Sequence, residues 1–354
     1  MENILEELIY LDSAATTRMD SRVLEGMMPY FLDLFGNASS THKLGEQSKK
    51  AIENSRDKIC SSLKCNASEI IFTSGSTESI NLAIKGFVES NSHKGNHIIT
   101  VKTEHKAVLE TLRYLETKGI EVTYLDVNSD GIISLEELKQ SIKDTTLMIA
   151  IMYVNNETGV IQEISKIGDI AKERGICFFS DATQAIGKIE VDVDALNVDM
   201  LCFSGHKING PKGIGVLYIR NGVELTPQIH GGNQEYGLRS GTYNTPLIVG
   251  IGIALQIASN DLMKNRSEAI ELRGKILEYF SSNKIGKAAF KLENTVPNII
   301  SIELNIDAEE FLMLNSSKFY ASSGSACNSG LQVKSYVIDS IFKNEQKQII
   351  RISI

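Results

Sequence analysis

Lys207 is the reactive side chain that stands out in this sequence. It lies in FSGHKINGPKG (203–213), next to Ser204, His206 and several glycines, directly after the apolar run MLCF. A lysine amine in such a place can bind a phosphate as a point charge, form a Schiff base with a carbonyl cofactor, or be merely solvated in a turn. The stretch by itself leaves these three interpretations open.

Polar side chains also follow four other apolar runs. The exposed amides at the start of a helix bind anions such as phosphate, although the same residues serve equally well as plain helix caps. A carboxylate after a strand can pair with a cation or cap a helix, and a lone histidine more often has a structural role. The residues are Gly75, Ser76 and Thr77 in FTSGSTES, His105 in KTEHKAV, Asn155 and Asn156 in MYVNNETG, and Asp181 and Gln184 in FFSDATQ.

The elements that must position these side chains alternate between strands and helices from about residue 70 to 220. The β-rich runs are EIIFTS, HIITV, EVTYLDV, LMIAIMYV, ICFFSD, MLCFSG and GVLYIR, and amphipathic stretches such as TESINLAIKGFVES, HKAVLETLRYLETKG and EISKIGDIAKERG separate several of them. This order predicts an α/β fold with a mainly parallel central sheet flanked by helices. Ligands of such sheets bind at the carboxyl ends of the strands, so we expect the polar groups to converge on one crevice.

One cofactor accounts for this combination of groups. Pyridoxal phosphate needs a phosphate cradle, a carboxylate for its pyridine nitrogen, a side chain that stacks on its ring and a lysine amine for its aldehyde. Asp181, His105 and Lys207 are of these types, and the helix start at Ser76 supplies the cradle. The sequence therefore predicts a pyridoxal phosphate site.

Composition places the chain among ordinary soluble proteins. It has 354 residues, a net charge of −8 and 42% hydrophobic residues, which argues against a nucleic-acid or anionic-membrane partner. The acidic start MENILEELIY has no signal-peptide pattern, and five cysteines without a secretion signal indicate reduced thiols, so we expect a cytoplasmic protein. Structural thiols are predicted at Cys60, Cys65, Cys177 and Cys202.

The chain changes character after about residue 245. TPLIVGIGIALQIASNDLMKNRSEAIELRGKILEYFSSN predicts one long helix or two consecutive helices, and the remainder, with a short helix around AEEFLML, predicts a smaller α+β unit. We predict a large cofactor-binding domain over residues 15–250. Residues 1–14 and 251–354 would form the small domain.

Nine motifs in order resemble the cysteine desulfurases, which are pyridoxal-phosphate enzymes related to the class V aminotransferases and have fold type I. They are YLDSAATT, FGNASSTHKLG, FTSGSTESINLAIKG, TEHKAVLETL, VNNETGVIQ, SDATQAIGK, FSGHKINGPKGIG, HGGNQEYGLRSGT and SSGSACNSG. The resemblance spans nearly the whole chain. It implies a fold-type I transferase with a large domain and a smaller α+β domain.

The resemblance also implies a role for individual residues. Lys207 would be the Schiff-base lysine, and Arg351 in RIS would bind the substrate α-carboxylate with its planar fork. Thr242 in RSGT would reach the phosphate of a partner subunit, which implies a homodimer. The other implied contacts are Asp181 with the pyridine nitrogen, Gln184 with the ring hydroxyl, His105 stacked on the ring, Asn156 with cofactor or substrate, and Ser76, Thr77, Ser204 and His206 with the phosphate.

Cys327 in SSGSACNSG would be the nucleophile. The resemblance implies that its thiolate takes sulfur from L-cysteine, leaving L-alanine and a Cys327 persulfide, with His105 moving a proton. The small residues around Cys327 would let the thiol travel to a sulfur acceptor, either an iron–sulfur scaffold or a tRNA thiolation enzyme. No metal site is predicted, although Cys327 could contact an iron–sulfur cluster transiently.

Other functions remain open at this point. A selenocysteine lyase or another class V aminotransferase-like enzyme would share the lysine site, although an aminotransferase has no need of Cys327. The chain also departs from the family pattern, with Ala38 where GN-Pro-x-S is usual and an end at RISI where relatives usually continue with a helix. We expect a short C-terminal end.

The segment DVNSDGIISLEE (126–137) carries a calcium-binding pattern. Its polar residues fall on the positions of an EF-hand loop, which would make the protein a calcium binder rather than an enzyme. An EF-hand needs a helix before the loop, whereas IEVTYLDV predicts a strand. We therefore interpret this segment as a strand, an Asp-Gly turn and a helix that begins at Ser134. The residues concerned are Asp126, Asn128, Asp130, Gly131, Ser134 and Glu137.

Overall fold

A computed structural model describes residues 8–323, 335–343 and 345–354. The strands are β1 (Ile9–Tyr10), β2 (Ile70–Thr73), β3 (His97–Val101), β4 (Glu121–Leu125), β5 (Thr146–Ala150), β6 (Cys177–Asp181), β7 (Met200–Ser204), β8 (Gly215–Ile219), β9 (Gly286–Ala288), β10 (Ile299–Leu304), β11 (Phe319–Tyr320) and β12 (Ile349–Ser353). The helices are α1 (Ser21–Leu32), α2 (Lys43–Leu63), α3 (Ser76–Asn91), α4 (Lys106–Glu116), α5 (Leu135–Ser141), α6 (Ile164–Glu173), α7 (Thr245–Asn260), α8 (Leu262–Ser282), α9 (Ala308–Leu314) and α10 (Tyr336–Phe342).

The largest sheet in the described part of the chain has seven strands in the order β2-β8-β7-β6-β5-β3-β4. The pairs from β7 to β4 are parallel, and β8 is antiparallel to both of its neighbours, so every strand except β8 runs in one direction. Because parallel strands joined by helices end at the same edge, residues after β2, β3, β5, β6 and β7 meet there. The predicted α/β class and its mainly parallel sheet are confirmed.

The strands are apolar along nearly their whole length because helices cover both faces of the sheet. One face packs against α2 and α7 through residues such as Ile59 and Ile251, and the other packs against α3 and α4 through Ile80 and Leu112. All seven predicted strand runs form strands, and the three predicted amphipathic stretches form α3, α4 and α6. Hydrophobic periodicity therefore identified the frame of the site.

The long helical stretch after residue 245 forms two helices, α7 and α8, with a bend of 69° between them. Helix α7 packs against α1 and α2, and its mostly apolar surface is buried there. Among the described helices, none alone is long and apolar enough to cross a membrane, while this bent pair meets that test by length and composition.

A second sheet follows, with β12, β10 and β9 in antiparallel order. Its apolar side chains pack with α8 and α9 around Phe280, Ile302, Phe311 and Ile350. The N-terminal segment joins this unit, since β1 pairs with β11 and Ala14 N donates a hydrogen bond to Ser353 Oγ. The expected smaller α+β unit is present, whereas the exact division at residues 14 and 250 stays a prediction.

The calcium-like segment has the structure expected of a turn. Strand β4 ends at Leu125, Asn128 Oδ1 accepts hydrogen bonds from two backbone amides of the turn, and Ser134 caps α5. Asp126 and Asp130 pair with lysines, at 2.8 Å from Lys102 Nζ and 2.8 Å from Lys291 Nζ respectively. A strand, not a helix, enters the loop, as the sequence predicted.

Candidate active site

A cavity of about 560 Å³ lies at the carboxyl edge of the parallel strands. The turns after β2, β3, β5, β6 and β7 contribute to its walls, and the N-terminal segment and β12 close one side. The predicted residues that line it are Ser76, Thr77, His105, Asn156, Asp181, Gln184, Ser204, His206, Lys207 and Arg351. The structure thus brings together groups that are up to 275 positions apart in sequence, from Ser76 to Arg351.

Lys207 reaches the cavity from a short turn that follows β7 directly. Its Nζ donates hydrogen bonds to the backbone oxygens of Ala14 at 2.6 Å and Ala15 at 2.7 Å. Backbone carbonyls are the strongest neutral acceptors available, so they hold the amine at the cavity wall without neutralising it. The N-terminal segment therefore supplies the contacts that orient this lysine.

Asp181 is the last residue of β6 and is only 5% exposed. Its Oδ1 accepts the backbone N–H of Thr183 at 2.9 Å. Gln184 lies one turn further on, where its Nε2 donates to Ala14 O at 2.9 Å and its Oε1 accepts from Lys188 Nζ at 2.7 Å. A carboxylate and an amide of fixed orientation thus border the same cavity.

Helix α3 begins at the cavity with Ser76. The first amides of a helix have no partner within it and carry partial positive charge, which suits a phosphate. Ser76 Oγ lies 2.7 Å from Thr183 Oγ1, so the hydroxyl is held beside these amides. Gly75 is the N-cap and makes no side-chain cap. This end of the cavity can bind an anion.

His206 lies beside this anion-binding end. Burial, followed by the charges of Lys207 and Lys212, lowers the pKa of His206 to about 4. The imidazole is therefore neutral at pH 7 and can offer one N–H to an anion rather than a charge. Lys212 also lines the cavity.

His105 follows β3 and caps α4. Its Nδ1 accepts the backbone N–H of Ala107 at 3.2 Å, so in the neutral ring the proton lies on Nε2. The preceding Glu104 is buried, and both burial and the charge of Asp181 raise its pKa well above the usual range. The capping role and a role at the cavity are compatible, because they use different ring nitrogens.

Arg351 enters the cavity from β12. Its Nη1 donates to Asn156 O at 2.9 Å, and its Nη2 forms an ion pair with Asp12 at 2.7 Å. Within the described part of the chain, the buried Arg351 Nε and Asn156 Oδ1 have no hydrogen-bond partner. Buried polar groups normally find partners, so these two atoms indicate a ligand that supplies them.

One predicted residue, Thr242, is exposed and does not line this cavity. The predicted Cys327 falls outside the residues that the structure describes, so its position stays a prediction. Conversely, the interpretation of individual residues missed Asp12, the carbonyl of Ala14 and Thr183. Two of these lie in the motif YLDSAATT, which marked the segment but gave no residue a task.

Comparison with known proteins gives one consistent result. The Aminotransferase class-V family model matches residues 9–354. The cysteine desulfurase IscS of Neisseria gonorrhoeae is 47% identical over 341 residues, which cover 96% of this chain and 84% of the relative. A solved structure described as a NifS-like protein is 39% identical with a TM-score of 0.91, covering 98% of this chain and 93% of that one. A structure described as SspA in complex with cysteine is 38% identical with a TM-score of 0.87, covering 98% of both chains.

Proposed function

Because this chain belongs to the class V aminotransferase family and, within it, to the cysteine desulfurases, we propose that it transfers sulfur from L-cysteine to Cys327 and releases L-alanine. The observation that carries the proposal is the position of Lys207 in one cavity with Asp181, His105 and Arg351. An amine, a buried carboxylate, an imidazole and a guanidinium are the groups that a cofactor-assisted reaction of an amino acid requires.

Enzymes of this family use pyridoxal phosphate, and the residues present fit that group. The start of α3 offers amides and hydroxyls to a phosphate, and the unpartnered Asn156 Oδ1 offers an acceptor deeper in the cavity. When bound, pyridoxal phosphate supplies an aldehyde for an amine and a ring that takes up electrons from the substrate carbon. The residues that would hold it are Ser76, Thr77, Ser204 and His206 at the phosphate, Asp181 and Gln184 at the ring nitrogen and hydroxyl, His105 on the ring face, and Lys207 at the aldehyde.

Arg351 would bind the α-carboxylate of cysteine. Its guanidinium is held by Asp12 and by the backbone oxygen of Asn156, so only its remaining N–H groups are available to a substrate. A planar guanidinium fixed in this way presents its donors in one direction and orients the amino acid. Lys207, whose amine is held by the backbone oxygens of Ala14 and Ala15, would move the α-proton.

Cys327 would accept the sulfur. As the thiolate attacks the substrate sulfur, the S–S bond of a persulfide forms and the substrate C–S bond breaks, with its electron pair left on the carbon side. His105 would move the accompanying proton, because the helix cap uses its Nδ1 and leaves its Nε2 for this task. From the persulfide, sulfur would pass to an iron–sulfur scaffold or a tRNA thiolation enzyme, and Cys327 could contact a cluster transiently.

A homodimer is supported by the surface of α1. Leu24, Met28 and Phe31 are exposed at spacings of four and three residues, so they form one apolar helix face. An exposed apolar face of this kind is typical of an interface. Thr242, which is also exposed, would reach the phosphate of the partner subunit in such a dimer. The unpaired thiols of Cys60, Cys65, Cys177 and Cys202 support a reducing compartment such as the cytoplasm.

Mass spectrometry after the addition of cysteine tests the proposal. We expect Cys327 to gain the mass of one sulfur atom while alanine is released. Lys207→Ala should abolish both products, and Cys327→Ser should bind pyridoxal phosphate but form no persulfide. Cys65→Ser is the matched control, because Cys65 is the one partly exposed thiol among the four cysteines that the structure describes, and it should behave as the unaltered protein. Full turnover by Cys327→Ser would refute the proposal.

A further inference from the structure

We propose that Lys188 is a positioning residue that fixes the side-chain amide of Gln184, so that its NH₂ group is presented on the cavity side. The inference rests on the proposed function, in which Gln184 contacts the ring hydroxyl of pyridoxal phosphate. Lys188 lies four residues after Gln184 and is absent from the lining of the cavity itself. It acts on the site only through that amide.

The hydrogen bonds of Gln184 determine which way its amide points. Lys188 Nζ lies 2.7 Å from Gln184 Oε1, and Gln184 Nε2 lies 2.9 Å from Ala14 O. When it is protonated, the Lys188 amine has only donors, so the amide oxygen must face it. A backbone carbonyl has only acceptor lone pairs, so the amide nitrogen must face Ala14. The two contacts together exclude the flipped amide, in which donor would meet donor and acceptor would meet acceptor.

Lys188 lines a second cavity, called here the rear cavity, which shares Lys207 with the first. This rear cavity, of about 520 Å³, is lined by Lys188, Lys207, Gly187 and Asn298 among others. Lys207 borders both cavities, whereas Gln184 borders only the front one. The Gln184 amide connects the two linings, because its oxygen accepts from Lys188 of the rear cavity and its nitrogen donates to Ala14 of the front cavity. Lys207 and Gln184 donate to the same Ala14 oxygen, so the two lysines are joined through one amide and one carbonyl.

Burial of the charged Lys188 amine is unfavourable, and its contact with Gln184 gives a reason why a lysine lies there. Among the described residues, no carboxylate lies within ion-pairing distance of its Nζ. Burial, and then the charge of Lys207, lowers the pKa of Lys188 to about 7. A methionine would pack in the same volume without this cost, since an amine without a counter-ion is expensive to bury. Within the described part of the chain, the acceptor that the amine contacts is the Gln184 oxygen.

The orientation of the Gln184 amide should affect the ionisation of the ring hydroxyl of pyridoxal phosphate. A hydrogen-bond donor beside an ionisable oxygen favours its deprotonated form, and an acceptor disfavours it. With the NH₂ group of Gln184 on the cavity side, the amide can only donate there. Loss of Lys188 removes one of the two hydrogen bonds that orient the Gln184 amide, so its NH₂ group is no longer fixed on the cavity side. Both the affinity for the cofactor and its ionisation should change.

Equilibrium binding of pyridoxal phosphate to the cofactor-free protein tests the role of Lys188. Lys188→Met should raise the dissociation constant about fivefold, which is the effect expected of one hydrogen bond. In a Gln184→Ala background the same substitution should have no further effect, because the amide through which it acts is gone. Lys264→Met is the matched control, since Lys264 is an exposed lysine that borders the same rear cavity, and it should leave the constant unchanged.

The absorbance of the bound cofactor gives a second readout. Ionisation of the ring hydroxyl should change the absorbance of the bound cofactor with pH. In Lys188→Met, the pH midpoint of this change should be higher than in the unaltered protein, and Lys264→Met should not move it. Lys188→Leu, which likewise has no hydrogen-bond donor, should behave as Lys188→Met and serves if the methionine variant does not fold.

Two outcomes would overturn the role of Lys188. One is that Lys188→Met changes the dissociation constant equally in the unaltered protein and in the Gln184→Ala background. The other is an unchanged dissociation constant and midpoint in both Lys188 variants. Failure of the unaltered protein to bind pyridoxal phosphate would instead refute the proposed function, so the two failures are distinguishable.

Discussion

Arg351 Nη2 lies 2.7 Å from Asp12 Oδ1, and this ion pair joins β12 to the N-terminal segment at the wall of the cavity. The guanidinium is almost completely buried, and its Nη1 contacts the backbone oxygen of Asn156. Two of its three nitrogens therefore make contacts that fix the orientation of the side chain. The third, Nε, is the buried atom without a partner in the described part of the chain.

Asp12→Ala should weaken the binding of cysteine. Without the carboxylate, the guanidinium loses its orientation, and we expect KM for cysteine to rise about tenfold while kcat changes less. Steady-state kinetics measures both values. Asp12→Asn keeps an oxygen acceptor at the same distance and should restore much of the affinity. An unchanged KM in Asp12→Ala would show that Asp12 does not orient Arg351.

Arg56 and Glu235 form a second buried pair, far apart in sequence. Arg56 Nη2 lies 2.9 Å from Glu235 Oε1, and both side chains are about 2% exposed. Glu235 Oε2 also accepts the backbone N–H of Phe72, within β2, at 2.7 Å. The pair therefore holds the loop around residue 235 against α2 and the edge of the large sheet.

Arg56→Met should destabilise the protein strongly. It leaves the Glu235 carboxylate buried without its partner, and removal of one member of a buried pair costs about 3–5 kcal/mol in the free energy of unfolding. Urea unfolding at a fixed protein concentration measures the loss. Lys275→Met is the control, because it breaks the fully exposed Lys275–Glu271 pair and should leave stability unchanged. Equal losses in the two variants would contradict the prediction.

Glu104 should make stability depend on pH. Burial, and then the charge of Asp181, raises its pKa well above 4.5 in the folded state. Between pH 4.5 and the folded pKa, the folded protein therefore holds one more proton than the unfolded chain. The contribution of this group to stability is complete below pH 4.5 and falls as pH rises, by at most about 1.4 kcal/mol per pH unit.

Glu104→Gln isolates this effect, because the amide oxygen can still accept the backbone N–H of Met152. Relative to this variant, the unaltered protein should lose stability as the pH rises above 4.5 towards the raised pKa of Glu104. Urea unfolding of both proteins at several pH values measures the difference. A difference that stays constant over this range would show that Glu104 does not hold a proton in the folded state.

Gly215 should be essential to the start of α3. A Cβ at this position would lie 2.6 Å from the backbone of Gly75, which is closer than real Cβ contacts allow. Gly215 pairs with Thr73 on one side and Ser204 on the other, so neither strand can move away easily. Gly215→Ala must therefore displace the backbone that begins the proposed phosphate site.

We expect Gly215→Ala to lower the free energy of unfolding by about 1–3 kcal/mol, as overpacking does, and to weaken the binding of pyridoxal phosphate. Thermal unfolding and cofactor titration measure the two effects. Gly274→Ala is the matched control, since a Cβ there meets no atom within 4 Å on an exposed helix. That variant should gain about 0.5–1 kcal/mol and bind the cofactor normally. Normal cofactor affinity in Gly215→Ala would show that Gly215 is not needed for the phosphate site.

Much of the frame was predictable because its signals are local. The alternation of apolar runs and amphipathic stretches identified β2 to β8 and the helices between them, since each element buries one face or stripe. The calcium-like segment shows the same principle: the β-rich approach to Asp126 correctly outweighed a motif match. Strand direction was less accessible, and β8 runs against its neighbours although its sequence resembles theirs.

The residue types of the candidate site could be predicted from the sequence, but the contacts that hold those residues in place could not. Lys207 and Asp181 follow strands, and the geometry of parallel sheets brings such positions together. The carbonyls of Ala14 and Ala15 carry no side-chain signal, so their contact with Lys207 could not be read from residue types. Lys188 was overlooked for a related reason, because a lysine after a glycine is ordinary until its amine is seen at Gln184.

By itself the sequence determined the order of strands and helices, the chemical groups at the strand ends and the family to which the chain belongs. These depend on periodicity and on motifs, which are properties of neighbouring residues. The tertiary structure alone decided that Asp12 meets Arg351, that Arg56 meets Glu235 and that Gln184 stands between two lysines. Such contacts join residues from distant segments, and their partners are selected by packing and by the need to satisfy buried polar atoms.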